Sequence, residues 1–216
     1  MAPAPIGAGA LQEKRAMPLV VITQPQDTVV SLDEVKAHLR VDHGDDDDEI
    51  GAAIQAAITE FEDPNLGWLG RSISERELEL RLDCFPACGG QIVLPNGPLL
   101  LGEVGGFVYD VAVEYDDAAG VERTLPDTVY RILDPESARP FLVLRPDQVW
   151  PSALHQPQAV RIRYWAGYPA DDPRIAGFKV AVKLHVEMTY DGDADRQDKL
   201  RAAIDALLQP YRVYRF

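Results

Sequence analysis

The sequence predicts an α+β protein: a helical bundle built from N- and C-terminal helices, with an inserted antiparallel β-sandwich or barrel-like segment. Three observations predict this class. Apolar residues recur about every 3.6 positions near both ends of the chain, they alternate with polar residues in the middle, and proline and glycine divide that middle region into short segments. Neither pair of helices is long enough to form a core by itself, so we expect the two pairs to pack together.

The same patterns divide the chain into four parts. Residues 1–18, which are rich in Ala, Pro and Gly, are expected to be a flexible N-terminal extension. Residues 19–72 and 172–210 are predicted to form one discontinuous helical domain, and residues 73–171 are predicted to form the inserted β domain. Residues 211–216 are predicted to be a C-terminal docking tail.

Composition limits the classes of function. The chain has 216 residues, 46% of them apolar, and a formal net charge of −14. An acidic protein gains no affinity for nucleic acid through counterion release, which argues against sequence-reading or wrapping roles on DNA. The same acidity suits a surface past which double-stranded DNA moves without binding. No apolar run is long enough to span a membrane.

The first predicted elements are a strand and a capped helix. The run Leu19–Thr23 has the β-branched composition of a short strand. Ser31 and Glu34 have the spacing of a capping box, in which each side chain bonds the backbone N–H of the other residue. This pair predicts a helix that ends near residue 41, and loss of such a cap costs about 0.5–2 kcal/mol.

An acidic run at residues 45–49 precedes the second predicted helix. Such a run is typical either of a cation site or of a helix N-terminus, where the helix dipole favours negative charge. The helix-terminus interpretation is favoured because apolar residues with helical spacing follow at once. These residues are Ile50, Ala53, Ile54, Ala57, Ile58 and Phe61. Pro64 is expected to lie beyond the end of this helix.

The period changes to two in the middle of the chain. Residues 77–83 alternate without a fault between polar and apolar, as in a half-buried strand. Residues 116–120 have the composition of a hairpin loop that ends at Gly120. The further predicted strands cover residues 91–94, 107–115, 121–125, 130–133, 141–144 and 160–165.

The helix predicted from residue 172 to residue 190 is apolar around most of its circumference. Asp172 is a strong N-cap and Pro173 occupies the first helical position. A helix of this kind needs cover on more than one side, either from its own chain or from a neighbouring subunit. The residues expected in its core or subunit-interface faces are Ile175, Phe178, Val182, Leu184, Val186 and Met188.

The end of the chain alternates aromatic residues with arginine. Tyr and Arg are enriched at protein interfaces and at their energetic centres, which favours a peptide that docks on another protein. A frayed terminus is the alternative. The residues concerned are Tyr211, Arg212, Val213, Tyr214, Arg215 and Phe216.

The sequence lacks the common motifs for catalysis, cofactor binding and metal binding. The sequence contains no nucleophile elbow, P-loop, zinc-protease motif or dinucleotide-binding glycine pattern. Cys84 and Cys88 lack the second pair that a structural zinc site needs, so free thiols are predicted. The loop at residues 191–195 resembles a calcium loop, but Arg196 and Ala202 stand where Gly and Glu are required. We therefore predict no catalytic residue, no cofactor and no metal.

Two alternatives to a structural role remain. An enzyme would have to use scattered carboxylates such as Glu60, Glu62 and Asp63. A carbohydrate- or protein-binding β module, as in a tail or decoration component of a virion, would use exposed aromatic residues of the β segment. Those residues would be Tyr109, Tyr130 and Trp150.

Several segments, taken in order, resemble the tailed-phage head–tail connector (adaptor) proteins of the gp6-like/gp8-like family. The resemblance extends over residues 19–216, whereas the extension before Met17 and the turn at residues 191–195 depart from the pattern. The segments that carry it are residues 20–23, 31–42, 45–50, 70–71, 82–86, 94–95, 164–168 and 207–212.

The resemblance implies a function without catalysis. Such adaptors form a twelve-fold ring beneath the portal protein, extend the DNA channel, and offer their other face to a stopper or tail protein. They belong to the head–tail junction of the virion and are assembled in the cytoplasm of the bacterial host. Tailed phages, prophages and gene transfer agents all contain such proteins. By position, the resemblance assigns residues 211–216 to portal binding.

Overall fold

Four α-helices and ten strands are present in the residues that the computed structural model describes, which are 19–23, 29–104, 107–190 and 194–213. The helices are α1 (Leu32–Leu39), α2 (Asp47–Glu62), α3 (Ala176–Tyr190) and α4 (Ala194–Leu208). The strands are β1 (Leu19–Thr23), β2 (Arg76–Leu82), β3 (Ile92–Val93), β4 (Gly102–Val104), β5 (Phe107–Tyr109), β6 (Val111–Asp116), β7 (Glu122–Thr124), β8 (Tyr130–Leu133), β9 (Phe141–Leu144) and β10 (Val160–Ala166).

The strands form antiparallel sheets. The largest has the order β1-β2-β10-β6-β7, a second has the order β3-β9-β8, and β4 and β5 form a separate hairpin. At the centre of the largest sheet, Tyr164 lies opposite Leu78 on one side and Val111 on the other. The predicted α+β class, with antiparallel strands between helical segments, is confirmed.

Two apolar cores hold the molecule together. One lies among the four helices and includes residues from both ends of the chain, such as Val35, Phe61, Val182 and Ile204. The other lies between the strands and includes Leu78, Leu142 and Ile162, which are fully buried. We call the helices with the first core the helical unit and the strands with the second core the β unit.

Strand β1 corrects one part of the predicted domain division. Residues 19–72 were assigned to the helical part, but β1 pairs with β2 and Leu19 is buried in the β core. Strand β10 pairs with one edge of β2, and β1 satisfies the backbone groups of the other edge with hydrogen bonds. The predicted strand at residues 107–115 is divided at Asp110 into β5 and β6, and β4 was not predicted.

The chain passes between the two units at one end of the large sheet. Thr23 lies opposite Glu77, and Arg76 lies opposite Ala166, so all the connections leave the sheet at the same end. Gly167, with φ of 111°, is required here because a Cβ would overlap the Ser74 carbonyl group. We call this end the waist, and the opposite end, at Leu82 and Val160, the outer end.

Candidate docking surface of the helical unit

Helix α1 begins at the predicted capping box. The Ser31 Oγ accepts a hydrogen bond from the Glu34 backbone N–H at 3.2 Å, and the Glu34 Oε2 accepts one from the Ser31 backbone N–H at 2.9 Å. Both bonds satisfy N–H groups that have no partner within a helix. The cap fixes the position of α1, which packs against α2 and α3.

Helix α3 is the central element of the helical unit. Ile175, in the turn that precedes α3, and Phe178, Val182 and Val186 of the helix are at most 1% exposed and lie in the helical core. Leu184 is partly buried and packs against the same core, and Met188 is partly buried. Helices α1, α2 and α4 of the same chain cover α3, so the burial that its sequence requires is largely intramolecular. A subunit interface on α3 stays a prediction.

A carboxylate on α3 joins three helices. Glu187 is buried, its Oε1 accepts a hydrogen bond from Arg196 on α4, and its Oε2 lies 2.7 Å from the His38 Nε2 on α1. A cavity of about 710 Å³ opens beside these groups and is also lined by Arg40 and Tyr190. In the sequence, Glu187 stands at helical spacing after Lys179 and Lys183, and this spacing gives no sign of the partners on α1 and α4.

The first half of the predicted docking tail is anchored on the helical unit. The Tyr211 hydroxyl donates a hydrogen bond to the Arg174 carbonyl oxygen at 2.5 Å. The Arg212 guanidinium lies 5.3 Å from the centre of the Trp68 ring, and the Val213 N–H donates to the Leu69 carbonyl oxygen at 2.8 Å. The other predicted tail residues, Tyr214, Arg215 and Phe216, lie outside the described residues.

Asp172 organises the start of α3 beside this tail. Its Oδ1 accepts a hydrogen bond from the Arg174 backbone N–H at 2.8 Å, which caps the turn that leads into α3. The Arg174 guanidinium also bonds the carboxylate and holds the pKa of Asp172 below its usual value. The same guanidinium lies 4.5 Å from the centre of the Tyr168 ring. Arg174 therefore contacts both the tail, through Tyr211, and Tyr168, which lies close to the waist.

A buried ion pair fixes the helical unit to the β unit. Glu62, the last residue of α2, is 1% exposed, and its Oε1 lies 2.6 Å from the Nη2 of Arg76 on β2. The Glu62 Oε2 accepts hydrogen bonds from the backbone N–H groups of Ile73 and Ser74 at 2.6 and 2.8 Å. Burial raises the pKa of Glu62 above its usual value, against the opposing effect of Arg76.

The carboxylates that an enzyme would have required do not converge. Glu62 is enclosed at the waist, whereas Glu60 is exposed and lies 3.0 Å from the Nε2 of His185. Asp63 accepts hydrogen bonds from the backbone N–H groups of Asn65 and Leu66 and so caps a turn. Each of the three carboxylates has a separate structural role.

The aromatic residues proposed for a β-type binding module are also not the exposed set that this alternative needs. Tyr130 is 5% exposed, and its hydroxyl donates to the Val111 carbonyl oxygen at 2.6 Å. Trp150 is partly buried and stacks on Phe85. Tyr109 donates its hydroxyl hydrogen to Glu75 at 2.7 Å. The expectation of exposed aromatic side chains was wrong for Tyr130, because the strand β8 directs it into the β core.

The described residues show neither a metal site nor a membrane-spanning helix. In the part of the chain that the structure describes, no three His, Cys, Asp or Glu side chains come together as a metal site. Cys84 and Cys88 are exposed free thiols, as predicted. Across the described helices, none combines the length and apolar character needed to cross a membrane.

The fold is similar to that of solved chains from gene transfer agent (GTA) particles. A chain in the virion of a native GTA particle has 25% identity and a TM-score of 0.70, over 93% of this chain and 97% of that one. A chain in the neck of an empty GTA particle, computed with C6 symmetry, has 24% identity and a TM-score of 0.70 with the same coverage. The neck of a native GTA particle, computed with C12 symmetry, gives 24% identity and a TM-score of 0.67. No protein-family model and no curated protein matches the chain.

Proposed function

We propose that this protein is a structural subunit of the neck of a phage-like particle. The observation that carries the proposal is the structural likeness to GTA particle chains, which includes both units and nearly the full length of each chain. A match limited to the β unit would be compatible with many binding modules. A match that extends through the helical unit as well favours the whole subunit as the functional part, acting as a building block and converting no substrate.

Within that class, the proposed role is that of a gp6-like/gp8-like adaptor. Copies of the chain form a ring beneath the portal protein, extend the DNA channel, and dock a stopper or tail protein at the other rim. The ordered sequence resemblance supports this role, and so does the symmetry of the similar necks, C6 in one and C12 in another. Head-to-tail contacts between identical subunits close into a ring when the rotation between neighbours allows it. The C12 symmetry of one similar neck favours a ring of twelve copies.

The charges of the large sheet suit a channel that DNA crosses without binding. Arg161 lies 3.0 Å from Asp116, and Arg163 lies 2.8 Å from Glu79, so these cations are already neutralised within the chain. With a net charge of −14, the subunit offers few phosphate contacts whose counterions could be released. Transit of double-stranded DNA is therefore favoured over specific binding.

Portal binding is proposed for residues 211–216. The contacts of residues 211–213 with the helical unit suggest how this tail is presented. Tyr211, Arg212 and Val213 already contact Arg174, Trp68 and Leu69 of the helical unit. Residues 214–216 therefore continue from a segment that is already held in place. Fixing one end of a binding peptide in advance lowers the conformational entropy that docking must overcome.

The position of the chain in a particle tests the proposed function. Particles assembled in the bacterial host from a gene carrying a small tag should show extra density at the head–tail junction, in a ring around the channel. Omission of the gene should yield filled or emptied heads that lack tails, and a supplied copy should restore joining. Normal joining without the gene, or density away from the junction, contradicts the proposal.

The tail is tested separately by capture on the cognate portal protein. Removal of residues 214–216 should abolish capture while the anchored residues keep the helical unit folded. The substitution Arg215→Ala should weaken capture, whereas Arg201→Ala, at an exposed position on α4, should not. Equal capture by the truncated and complete chains would show that the tail does not bind the portal protein. It would not affect the proposal that the subunits form a ring.

A further inference from the structure

A groove of about 630 Å³ lies at the outer end of the β unit, away from the helices. It is formed by the loop that follows β2 and by the loop that precedes β10. None of its thirteen lining residues carries a charge, although 26% of the chain is charged. A concave site of this volume, lined mainly by apolar and aromatic residues, has the usual character of a binding site.

Aromatic and proline residues give the groove its character. The rings of Phe85 and Trp150 are stacked with centres 5.3 Å apart and planes within 7°. The Trp150 Nε1–H donates to the Gly90 carbonyl oxygen at 2.9 Å, which fixes the indole in position. Pro86 and Pro151 flank this pair, and Val149 beside it is 77% exposed. Grooves lined by aromatic side chains bind proline-rich extended segments.

The chain itself contains a segment of matching chemistry outside the described residues. Residues 1–11 carry no charged side chain, and they include Pro3, Pro5, Ile6 and Leu11. Closely spaced prolines favour the extended polyproline conformation, whose formation in solution reduces the entropy lost on binding. Residues 12–18 provide a more polar spacer before β1.

The direction of β1 places this segment near the groove. Leu19 lies opposite Leu80, and β1 then runs toward Thr23 at the waist, so it enters the sheet from the outer-end side. The groove begins at Cys84, shortly after β2 ends at Leu82. A seven-residue spacer spans up to about 25 Å, which is ample for residues 1–11 to reach the groove.

We propose that residues 1–11 occupy this outer-end groove of their own chain. Ile6 and Leu11 supply the apolar side chains, and the partly exposed Trp150 ring, which is supported from behind by the buried Phe85, receives the prolines. Cys84 and Cys88, both exposed at the rim, are then covered by the segment. The proposal does not depend on the function proposed above.

The two cysteines, which are the only ones in the chain, report occupancy directly. The rate of their modification by a bulky maleimide is measured in the complete protein and in a variant whose residues 2–11 are replaced by a Gly/Ser segment of equal length. We expect the replacement to raise the rate about tenfold, which corresponds to ~1.4 kcal/mol of docking free energy. Equal rates in the two proteins would overturn the proposal.

Matched charge substitutions separate docking from general effects. Ile6→Asp should raise the modification rate, whereas Gln12→Asp, which adds the same charge in the spacer, should leave it unchanged. A photo-crosslinker at position 6 should label residues 84–89 or 148–153 of the same chain. Crosslinks elsewhere, or protection that grows with protein concentration and so arises from another copy, would contradict it.

Discussion

The helical core and the β core are both apolar, but they are assembled from the chain in different ways. The helical core joins residues near Val35 and Ile58 to residues near Val182 and Ile204, which are separated by the whole β unit. The β core is drawn from Leu78 to Ala166, with Leu19 as its distant member. The helical core can therefore form only when segments from both sides of the β unit are in place. We therefore expect changes near either end to affect it most.

The largest expected effect is in the helical core. Phe178 is fully buried and meets the Phe61 ring edge-on at 6.1 Å between centres. Phe178→Ala should lower the free energy of unfolding by about 3–5 kcal/mol, because it removes apolar contacts and leaves a cavity. Val180→Ala, at a 41% exposed position on the same helix, should change it by less than about 0.5 kcal/mol. Denaturant unfolding measures both, and equal effects would mean that α3 is not central to the core.

The ion pair between the two units comes next. Glu62→Ala leaves Arg76 buried without its carboxylate and should cost about 3 kcal/mol. Glu60→Ala, which removes an exposed partner of His185, should cost less than about 1 kcal/mol. Chemical denaturation of both variants compares them. A negligible loss for Glu62→Ala would show that the units do not depend on this contact.

A smaller effect is expected at the cap of α1. Ser31→Ala removes the acceptor of the Glu34 N–H and should cost about 1 kcal/mol. Ser31→Asp keeps an acceptor at this position and should retain most of the stability. Thermal unfolding of the two variants tests whether the cap, rather than the serine itself, is responsible. Identical losses in both would argue against capping.

The two units should also differ in the sign of their pH dependence. Burial raises the pKa of Glu62 above 4.5, so its contribution to stability is present below 4.5 and is lost as pH rises through the folded-state pKa. For Glu79, in the sheet, burial acts in the same direction, but hydrogen bonds from Arg163 and Arg81 outweigh it and lower the pKa below 4.5. Its contribution is present above 4.5 and is lost as pH falls through the folded-state pKa.

Unfolding measured across pH with Glu62→Gln and Glu79→Gln separates the two contributions. Glu62→Gln should reduce the loss of stability with rising pH, and Glu79→Gln should reduce the loss with falling pH. If both variants change the same limb of the profile, the comparison between the waist and the sheet fails.

Local patterns allowed much of the fold to be predicted. The strands at residues 130–133 and 141–144 match β8 and β9 because each is a short β-type run bounded by proline or turn residues. The acidic run before Ile50 marks the start of α2, as helix-dipole energetics require. These features depend on neighbouring residues and are therefore visible in the sequence.

Contacts between distant residues were not visible in this way. The pairing of β1 with β2 joins segments more than fifty residues apart, and Glu187 meets His38 across 149 positions. One missed feature did leave a signal: Arg76 has the same alternation phase as Leu78 and Leu80, which face inward. A buried arginine needs a carboxylate partner, so that phase could have indicated a buried ion pair, although not the identity of its partner as Glu62.

The connections between the two units all lie at the waist, and this arrangement has a mechanical consequence. A force applied at the outer end of the β unit reaches the helices through these connections and through the noncovalent contacts between the two units. These noncovalent contacts include the Glu62–Arg76 pair, the Arg174–Glu136 pair and the hydrogen bond from the Asn65 side chain to the Leu19 carbonyl oxygen. Because the covalent connections are concentrated at one end, we expect a tilt between the two units to be accommodated there, among the described residues by bending at 73–76 and 166–172.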